Sequence, residues 1–441
     1  MHTALSRMTI LIVHYHLRAG GVTRVIHSQV RALKALGHQV IVASSGPCEA
    51  IQKETGAQII LEPSLDYSRD GEVNPTQLNA ADADLWIIHN PTLGKHAGFP
   101  KFIKDAATAG QKLLLQIHDF AEDGRPENYA LLREKPHLYP VAPHVHYACI
   151  NRRDLGFLKA AGLPENLSSY LPNPVIPPKV ETLSGQSTFV LYPVRAIRRK
   201  NLGELCLLAA HAPQGVEFAV ALAPENESWR AVYDLWVQFS EELQLPIKFN
   251  LASETPFAEL LARATHLITT SIAEGFGLTF LEPAFLGKPL LGRNLPEITQ
   301  DYSPSGTFYE SIPVAAPGLR ANYHQSLEDY WKSYGRTLKA EEINESWLDF
   351  QGNLDFGNLP ETEQRRIIRE VELPELRSWL ENALEQPAKE IEPEAWSLES
   401  YADRMDETLR RVREVSKVDW LDPDRVLDQF LKPSRFHFLR T

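Results

Sequence analysis

The chain alternates short apolar segments with amphipathic helical patterns, and it does so in two successive series. The first series predicts strands at Thr9–His14, Gln39–Ala43, Gln58–Leu61, Leu85–His89, Lys112–Ile117 and His146–Ile150. The second predicts strands at Phe189–Pro193, Glu217–Ala223, Ile247–Leu251, Ala264–Thr270 and Pro289–Leu291. Strands that alternate with helices are typical of a parallel sheet with helices on both faces. The sequence therefore predicts an α/β protein with two Rossmann-like, doubly wound domains.

A proline-rich stretch, Leu171–Pro178, and the polar segment Glu181–Ser187 separate the two series, and we interpret them as a linker. A chain of 441 residues exceeds one ordinary core. We therefore predict an N-terminal domain at 1–178 and a C-terminal domain at 179–441. Within the latter, residues from about 301 to 394 are acidic, contain tryptophans and show little strand pattern, which predicts a helical insertion or extension. Ser397–Val415 is predicted to form a final helix.

Composition limits the classes of function. The formal net charge of −12 argues against general binding of nucleic acid or of an anionic membrane, although a local basic cleft stays possible. The three cysteines are odd in number and widely spaced, so neither a disulfide framework nor a zinc site is indicated. Since no signal peptide or long apolar run is present in this sequence, we expect a soluble, cytoplasmic protein without an integral membrane segment.

The segment Ser271–Glu282 places Glu274 and Glu282 eight residues apart around a glycine-rich turn. Proline fits best in the first turn of a helix, so Pro283 predicts that a helix begins within a few residues of Leu278. The free N–H groups and the positive dipole end of that helix would face the turn. The segment therefore predicts an anion site.

Four cations, Arg195, Arg198, Arg199 and Lys200, follow the first strand of the second series. Ligands of an open α/β sheet bind at the carboxyl ends of its strands, which is where these side chains are expected. Guanidinium and ammonium groups there would suit a diphosphate, because they neutralise charge that develops on a leaving phosphate. Taken alone, the cluster is also typical of a solvated cationic loop.

Polar side chains lie at the carboxyl ends of three strands of the first series: His14 and His16, His89 and Asn90, and His118 and Asp119. A single histidine in such a place is usually a hydrogen-bonded structural residue. Several on one edge of a sheet instead predict a polar substrate cleft, and the two interpretations stay open here.

A glycine pair, Gly20 and Gly21, lies between the first strand and the predicted helix Val22–Leu36. Backbone can approach a ligand closely there, although such a pair also makes an ordinary tight turn. The full dinucleotide fingerprint is absent, so a nicotinamide or flavin cofactor is not favoured. The sequence also lacks the motifs of zinc enzymes, serine hydrolases and P-loop proteins. Asp82 and Asp84 precede their strand and indicate a turn, not a metal site.

Several of these motifs, in their order along the chain, resemble those of the retaining nucleotide-sugar glycosyltransferases of family four, which have the GT-B fold. The matching elements are Gly20-Gly21, His118, Leu171-Pro-Asn-Pro174, Arg195, Lys200-Asn201 and Glu274-Gly-Phe-Gly-Leu-x-x-x-Glu282. The resemblance covers about residues 8–300 and the helix near Tyr401. It implies two domains that face a cleft, with acceptor binding in the first and donor binding in the second.

The resemblance also implies roles for individual residues. Glu282 would bind the ribose of the donor, Glu274 would lie near the transferred sugar, and Arg195 and Lys200 would hold the diphosphate. Because cations and a helix N-terminus supply the electrostatic stabilisation, neither a metal nor a cofactor is implied. The implied catalytic residues are Glu274, His118, Arg195 and Lys200. The implied donor-binding residues are Gly20, Gly21, Arg195, Lys200, Glu274, Gly275, Phe276, Gly277, Leu278 and Glu282, and the predicted acceptor-binding residues are His89, Asn90 and Asp119.

The reaction so implied moves glucose or mannose, for example from UDP-glucose or GDP-mannose, to a hydroxyl of a small polar molecule or a glycan, with retention at the anomeric carbon. A lipid acceptor reached through peripheral membrane contact by helix Val22–Leu36 stays open. Other hypotheses are a sugar-nucleotide epimerase, a glycosyl phosphorylase and a non-catalytic scaffold of the same fold. The region 301–394 would cap the acceptor cleft, form a homodimer interface or support the second domain, and we favour the last two.

Overall fold

The computed structural model describes residues 6–178, 180, 187–302, 306–315, 319–339, 342 and 353–440. The chain divides into two compact units. The first comprises the chain up to Pro174 together with Glu328–Leu338 and Glu394–Arg435, and the second comprises Val175–Leu327, Lys339–Pro393 and the residues from Phe436 on. Residues 181–186 of the predicted linker lie outside the described residues, and the predicted domain ranges stay a prediction.

The first unit is built on a parallel sheet. The strands up to the linker are β1 Thr9–Val13, β2 Gln39–Ser44, β3 Gln58–Leu61, β4 Leu85–His89, β5 Leu113–Ile117, β6 Tyr139–Val141, β7 Val145–Cys149 and β8 Ser168–Tyr170. The helices are α1 Gly21–Ala35, α2 Glu49–Thr55, α3 Thr76–Asn79, α4 Phe99–Thr108, α5 Pro126–Tyr129 and α6 Arg152–Ala161. Seven of these strands form one sheet in the order β3-β2-β1-β4-β5-β7-β8, and every pair in it is parallel.

The second unit contains a parallel sheet of the same winding. Its strands are β9 Thr188–Arg195, β10 Val216–Leu222, β11 Ile247–Lys248, β12 His266–Thr269, β13 Leu290–Arg293 and β14 Gly306–Tyr309. The helices among them are α7 Leu202–Ala210, α8 Glu227–Glu242, α9 Phe257–Arg263, α10 Leu278–Phe285 and α11 Pro296–Thr299. The strand order is β11-β10-β9-β12-β13-β14, again parallel throughout. The predicted fold class of two parallel-sheet Rossmann-like domains is thus confirmed.

The remaining elements follow β14. They are β15 Pro313–Ala315, α12 Leu319–Ser333, β16 Asn353–Asp355, α13 Glu361–Glu370, α14 Pro374–Leu384, α15 Leu398–Arg410, β17 Asp419–Leu421 and α16 Pro423–Phe430. Strands β15 and β16 pair antiparallel with each other, and β17 pairs antiparallel with β6.

The prediction that the region 301–394 is helical was wrong in part. It contains β14, which is the edge strand of the second sheet, and the pair β15 and β16. These strands have only three or four residues each, and three of the four residues of β14 are half-buried, so their sequences carry no clear alternation. Within the second unit, helices α13 and α14 pack against α7. Part of the region therefore completes and covers the second sheet.

Apolar burial explains why the strands form where they do. Residues Ile10–Val13 of β1 are inaccessible to solvent, which is the pattern of a parallel strand covered by helices on both faces. Helix α15 packs on α1 and contributes Tyr401 and Met405 to the core of the first unit. Ser397 caps α15, because its side chain accepts a hydrogen bond from the N–H of Ser400.

Each sheet has one position at which the strand order reverses direction. It lies between β1 and β4 in the first unit and between β9 and β12 in the second. At such a switch point the loops that leave the carboxyl ends of adjacent strands run to opposite faces and leave a crevice for a ligand. The fold therefore indicates one crevice in each unit, and we describe each by itself.

Candidate functional site

The crevice of the second unit is bordered by the loops that follow β9 and β12. The loop after β9 forms a short 3-10 turn at Arg198–Lys200, and Asn201 then takes a left-handed conformation with φ of +51°. The loop after β12 runs through Ser271 and Glu274 to the start of α10. The two loops are joined directly, since the N–H of Ile272 donates to the carbonyl of Arg199 at 3.0 Å.

A carboxylate and two cations meet between these loops. One oxygen of Glu274 accepts a hydrogen bond from Nζ of Lys200, and the other lies 3.0 Å from Nη1 of Arg199. Arg199 also donates to the carbonyl of Ala273 at 2.5 Å. The side chains of Glu274 and Lys200 are each only 9% exposed, whereas that of Arg199 is 36% exposed. The structure thus brings together Glu274 and Lys200, which were both predicted for the donor site, and adds Arg199 to them.

The ionisation of this group is set by burial and by mutual charge. Burial alone would raise the pKa of Glu274, but Lys200 and Arg199 outweigh it and hold that pKa at about 2. Burial lowers the pKa of Lys200 to about 8, although Glu274 opposes the shift. Two positive charges therefore face the one carboxylate of Glu274 at neutral pH.

Buried hydroxyl groups fix the main chain around this group. The Tyr192 hydroxyl lies 2.8 Å from Oγ of Ser271 and donates to the carbonyl of Lys200 at 3.2 Å. The hydroxyl of Thr270 donates to the same carbonyl at 2.9 Å. Ser271 in turn makes a side-chain hydrogen bond to Glu274. Because Tyr192, Thr270 and Ser271 are fully or almost fully buried, the positions of Lys200 and Glu274 are tied to the sheet itself.

Helix α10 begins at Leu278, as the sequence predicts, directly after the glycine-rich turn. Gly277 has φ of +80°, and a Cβ there would lie 2.6 Å from the Tyr302 hydroxyl, so this position requires glycine. The expectation that Pro283 belongs to the first helical turn was wrong: Pro283 is the sixth residue of the helix and lies in its last turn. The site residues Gly275 and Glu282 are half-buried, and Phe276 is buried.

The other two cations of the basic cluster point elsewhere. Arg195 is paired with Glu225 at 2.8 Å and donates to the carbonyl of Ala223 at 3.3 Å. Arg198 makes a two-pronged ion pair with Glu361, at 2.6 and 2.9 Å. The prediction named Arg195 and Lys200 and omitted Arg199, although Arg199 lies in the same motif.

The crevice of the first unit holds a row of buried histidines at the predicted strand ends. Nδ1 of His89 lies 2.8 Å from Nε2 of His118. The side-chain oxygen of Asn90 accepts from the backbone N–H groups of His118 and Asp119, at 2.9 and 3.1 Å. Asp119 forms an ion pair with Arg125 at 2.5 Å. The structure thus brings the four predicted residues of these two strand ends together.

Burial keeps these imidazoles neutral. It lowers the pKa of His14 to about 3, that of His118 to about 4, and that of His89 well below its usual range. A neutral imidazole has one donor and one acceptor nitrogen, so in the His89–His118 hydrogen bond one ring donates and the other accepts. His89 is bonded in turn to the side chain of Gln29 at 2.9 Å, and Gln29 donates to the Tyr401 hydroxyl at 3.1 Å.

Gly20 and Gly21 lie at the start of α1, in the loop that follows β1. Helix α1 begins at Gly21, and Gly20 is extended, with φ of 173°. Open space surrounds the Cβ position of Gly21, so no steric contact within the described part of the chain requires glycine there.

The described residues include neither a membrane-spanning helix nor a metal cluster. No helix among them is long and apolar enough to cross a membrane. They also contain no group of three or more histidine, cysteine, aspartate or glutamate side chains placed to hold a metal ion. The independence from metal that the resemblance implies stays a prediction.

Known proteins resemble this chain in sequence and in fold, although no family profile matches it. Over 413 residues it is 25% identical to mannosylglucosyl-3-phosphoglycerate synthase of Petrotoga mobilis, an alignment that covers 82% of this chain and 81% of that protein. Its fold is similar to that of Anabaena HepE, solved in complex with UDP and glucose, with 15% identity, a TM-score of 0.54, and coverage of 92% of this chain and 100% of that one.

Sucrose-phosphate synthase from Thermosynechococcus elongatus is a second solved structure with this fold. It shares 14% identity with a TM-score of 0.55, over 92% of this chain and 99% of that one. The fold is therefore GT-B, and the predicted resemblance is confirmed at the level of the GT-B glycosyltransferases. The roles predicted for individual residues stay predictions.

Proposed function

We propose that this chain, a glycosyltransferase of the GT-B fold, moves a hexose, glucose or mannose, from a nucleoside diphosphate sugar to an acceptor hydroxyl with retention at the anomeric carbon. One observation carries the proposal: two cations, the buried Lys200 and the partly exposed Arg199, meet the buried Glu274 at the switch point of the second sheet. The curated relative named above supports the class of reaction.

In this proposal the two cations bind the donor's diphosphate and stabilise the charge that grows on it as the sugar leaves. Glu274 orients both cations before the substrate arrives, so little reorganisation is needed during the reaction. The backbone N–H groups from Phe276 to Leu278, at the start of α10, add partial positive charge beside them. Glu282, on α10, keeps the ribose-binding role implied by the resemblance.

We assign Arg195 a different role in phosphate binding from that of Lys200. Its partner in the structure is Glu225, whose side chain is 79% exposed, and ion pairs of that kind are weak. Arg195 therefore needs little energy to exchange Glu225 for a phosphate of the donor. Lys200 and Arg199 are already in place, so Arg195 is a secondary phosphate ligand.

The acceptor is proposed to be a small polar molecule or a glycan that carries a free hydroxyl. The polar strand ends of the first unit, with His89, Asn90 and Asp119, support this class. His118, in the same crevice, keeps its proposed contact with the transferred sugar, and Gly20 and Gly21 keep their proposed contact with the diphosphate. Independence from metal and from a cofactor is part of the proposal. A homodimer and a cytoplasmic location stay predictions.

The donor-binding proposal predicts a particular pH dependence. Since the pKa of Lys200 is about 8, its positive charge is present at pH 7 and is lost as the pH rises through that value. We expect the affinity for the nucleotide that binds most tightly, whether UDP, GDP or ADP, to fall about tenfold between pH 7 and pH 9. Isothermal titration calorimetry measures this directly.

The matched control is Lys200→Arg, because a guanidinium stays protonated throughout that pH range. Its nucleotide affinity should be almost constant between pH 7 and pH 9. An equal decline in both proteins would show that a group other than Lys200 titrates.

The proposed function is tested by a thermal-shift panel with UDP, GDP, ADP and their glucose and mannose conjugates, followed by a transfer assay with the best donor. A ligand that binds only the folded state at 100 times its Kd stabilises it by about 2.7 kcal/mol, so one nucleotide should raise Tm clearly. Turnover should require an acceptor and no added phosphate. Turnover without an acceptor would indicate an epimerase, phosphate dependence a phosphorylase, and binding without turnover a scaffold.

A further inference from the structure

A loop after β3 reaches across the crevice of the first unit. Strand β3 is at the edge of the sheet, yet the N–H of Ser68 donates to the carbonyl of Lys95, which follows β4, at 3.1 Å. The N–H of Ala97 donates back to the carbonyl of Ser68 at 2.9 Å. Residues 67–69 therefore lie beside the switch point between β1 and β4, although their own strand lies two positions away from β1.

This loop places an aromatic ring in the crevice. The Tyr67 ring makes edge contacts with Tyr15 and His16, which follow β1, at centroid distances of 5.3 and 4.8 Å. The side chain is nevertheless 43% exposed. Nζ of Lys95 lies 5.6 Å from the centre of the same ring, which is a cation–π distance.

Lys95 is half-buried, and its ammonium group makes the contact with the Tyr67 ring described above. Within the described part of the chain, neither Lys95 nor Arg69 forms an ion pair. Burial lowers the pKa of Lys95, and the positive charges of Arg125 and Arg69 add to that shift, while Glu127 opposes it. Lys95 therefore lies close enough to Arg125 and Arg69 to be repelled by both.

The other cations of the crevice are neutralised by protein carboxylates. Arg18 pairs with Asp66 at 2.5 Å, and Arg125 pairs with Asp119 at 2.5 Å. Within the described residues, the half-buried Lys95 and the exposed Arg69 form no such pair, in a chain whose net charge is −12. An anionic ligand would relieve the repulsion and would form charge-assisted hydrogen bonds with both side chains.

We propose that Lys95 and Arg69 form a subsite, floored by Tyr67, for an anionic group of the acceptor, a phosphate or a carboxylate. The inference rests on the proposed function. Because the donor's diphosphate is assigned there to Lys200 and Arg199 of the second unit, we assign the positive charges of Lys95 and Arg69 to the acceptor. The acceptor is therefore an anionic hydroxyl compound, and the reacting hydroxyl belongs to the same molecule as the bound anion.

Three probes with one carbon skeleton test the subsite: glucosyl-3-phosphoglycerate, glucosylglycerate and glucosylglycerol, which carry a phosphate and a carboxylate, a carboxylate alone, and no charge. Binding of each is measured calorimetrically to the full chain. We expect the charged probes to bind at least about tenfold more tightly than glucosylglycerol, which corresponds to about 1.4 kcal/mol. If the subsite is specific for phosphate, glucosyl-3-phosphoglycerate should bind more tightly than glucosylglycerate. If it is specific for carboxylate, these two probes should bind with equal affinity.

The variants Lys95→Met and Arg69→Ala should abolish this preference and leave the affinity for glucosylglycerol unchanged. Methionine keeps an apolar side chain over the Tyr67 ring, so we expect Lys95→Met to fold normally. A thermal unfolding curve of the variant checks this. Lys53→Ala is the control, because Lys53 is an exposed cation of α2 paired with Glu49.

The inference would be overturned if the three probes bound with equal affinity or if none of them bound. It would also be overturned if both variants kept the wild-type preference for the charged probes. The proposed function fails separately, if no nucleotide binds or no sugar is transferred. Nucleotide affinity should be the same in wild type and Lys95→Met. A loss of nucleotide affinity there would assign Lys95 to the donor and contradict the subsite.

Discussion

Replacing Lys200 with methionine is expected to lower kcat/KM for sugar transfer by about 10²–10³-fold, the usual effect of removing one buried group that stabilises transition-state charge. Lys200 is 7% exposed and shares Glu274 with Arg199, so water cannot replace its charge at the same place. Part of the loss should appear in kcat, because the charge on the diphosphate grows as the sugar leaves. Steady-state kinetics with the donor identified by the thermal-shift panel measure both parameters.

The matched control is Arg198→Met, which removes a cation two residues away. Arg198 is paired with Glu361 and not with Glu274. We expect this change to leave kcat within about threefold of wild type, and to lower the stability, because it breaks an ion pair whose side chains are only 19% and 15% exposed. If Arg198→Met lost as much activity as Lys200→Met, the assignment of Lys200 to the diphosphate site would be contradicted. Full activity of a Lys200→Met protein with the wild-type Tm would contradict it as well.

The second large effect is expected on stability, from Arg293→Leu. Arg293 bonds both oxygens of Glu204, at 2.8 and 2.6 Å, and both oxygens of Asp355, at 2.8 and 2.9 Å. Glu204 is fully buried, and its burial raises its pKa while Arg293 opposes that shift. Removing the arginine leaves Glu204 as a buried, uncompensated acid, which costs about 3–5 kcal/mol.

This network also supports the donor site. Glu204 accepts a hydrogen bond at 2.9 Å from the side chain of Asn201, the residue that follows Lys200 in the left-handed conformation. We therefore expect Arg293→Leu to weaken nucleotide binding as well as folding. Urea unfolding at pH 7 measures the stability, and Arg366→Ala, which breaks partly exposed pairs on α13, should cost less than about 1 kcal/mol. Equal costs for the two variants would contradict the account.

The sequence predicts the sheets well because their strands are buried on both faces and are separated by strong helix signals. Through the family resemblance it also assigns Glu274 and Lys200 to one donor site. It does not predict that Lys200 and Arg199 both face Glu274. That arrangement depends on the 3-10 turn at Arg198–Lys200, which sends Arg198 toward Glu361 and Arg199 toward Glu274.

Two further features could not be found from local patterns. Strand β14 is a four-residue edge strand, so it lacks the continuous apolar run of the central strands. The approach of Tyr67 and Ser68 to Lys95 depends on a loop that returns from the edge of the first sheet to its centre, and no periodicity in the sequence predicts such a path. The proposed anionic subsite and the proposed role of Arg199 therefore depend on contacts that the sequence does not predict.

The central claim is that Lys200, Arg199 and Glu274 form the donor's diphosphate site, and a crystal structure with bound nucleoside diphosphate tests it most directly. We expect phosphate oxygens within hydrogen-bonding distance, about 2.7–3.2 Å, of the Lys200 ammonium and the Arg199 guanidinium, beside the first turn of α10. A diphosphate bound elsewhere on the chain, with Lys200 still paired only with Glu274, would contradict it.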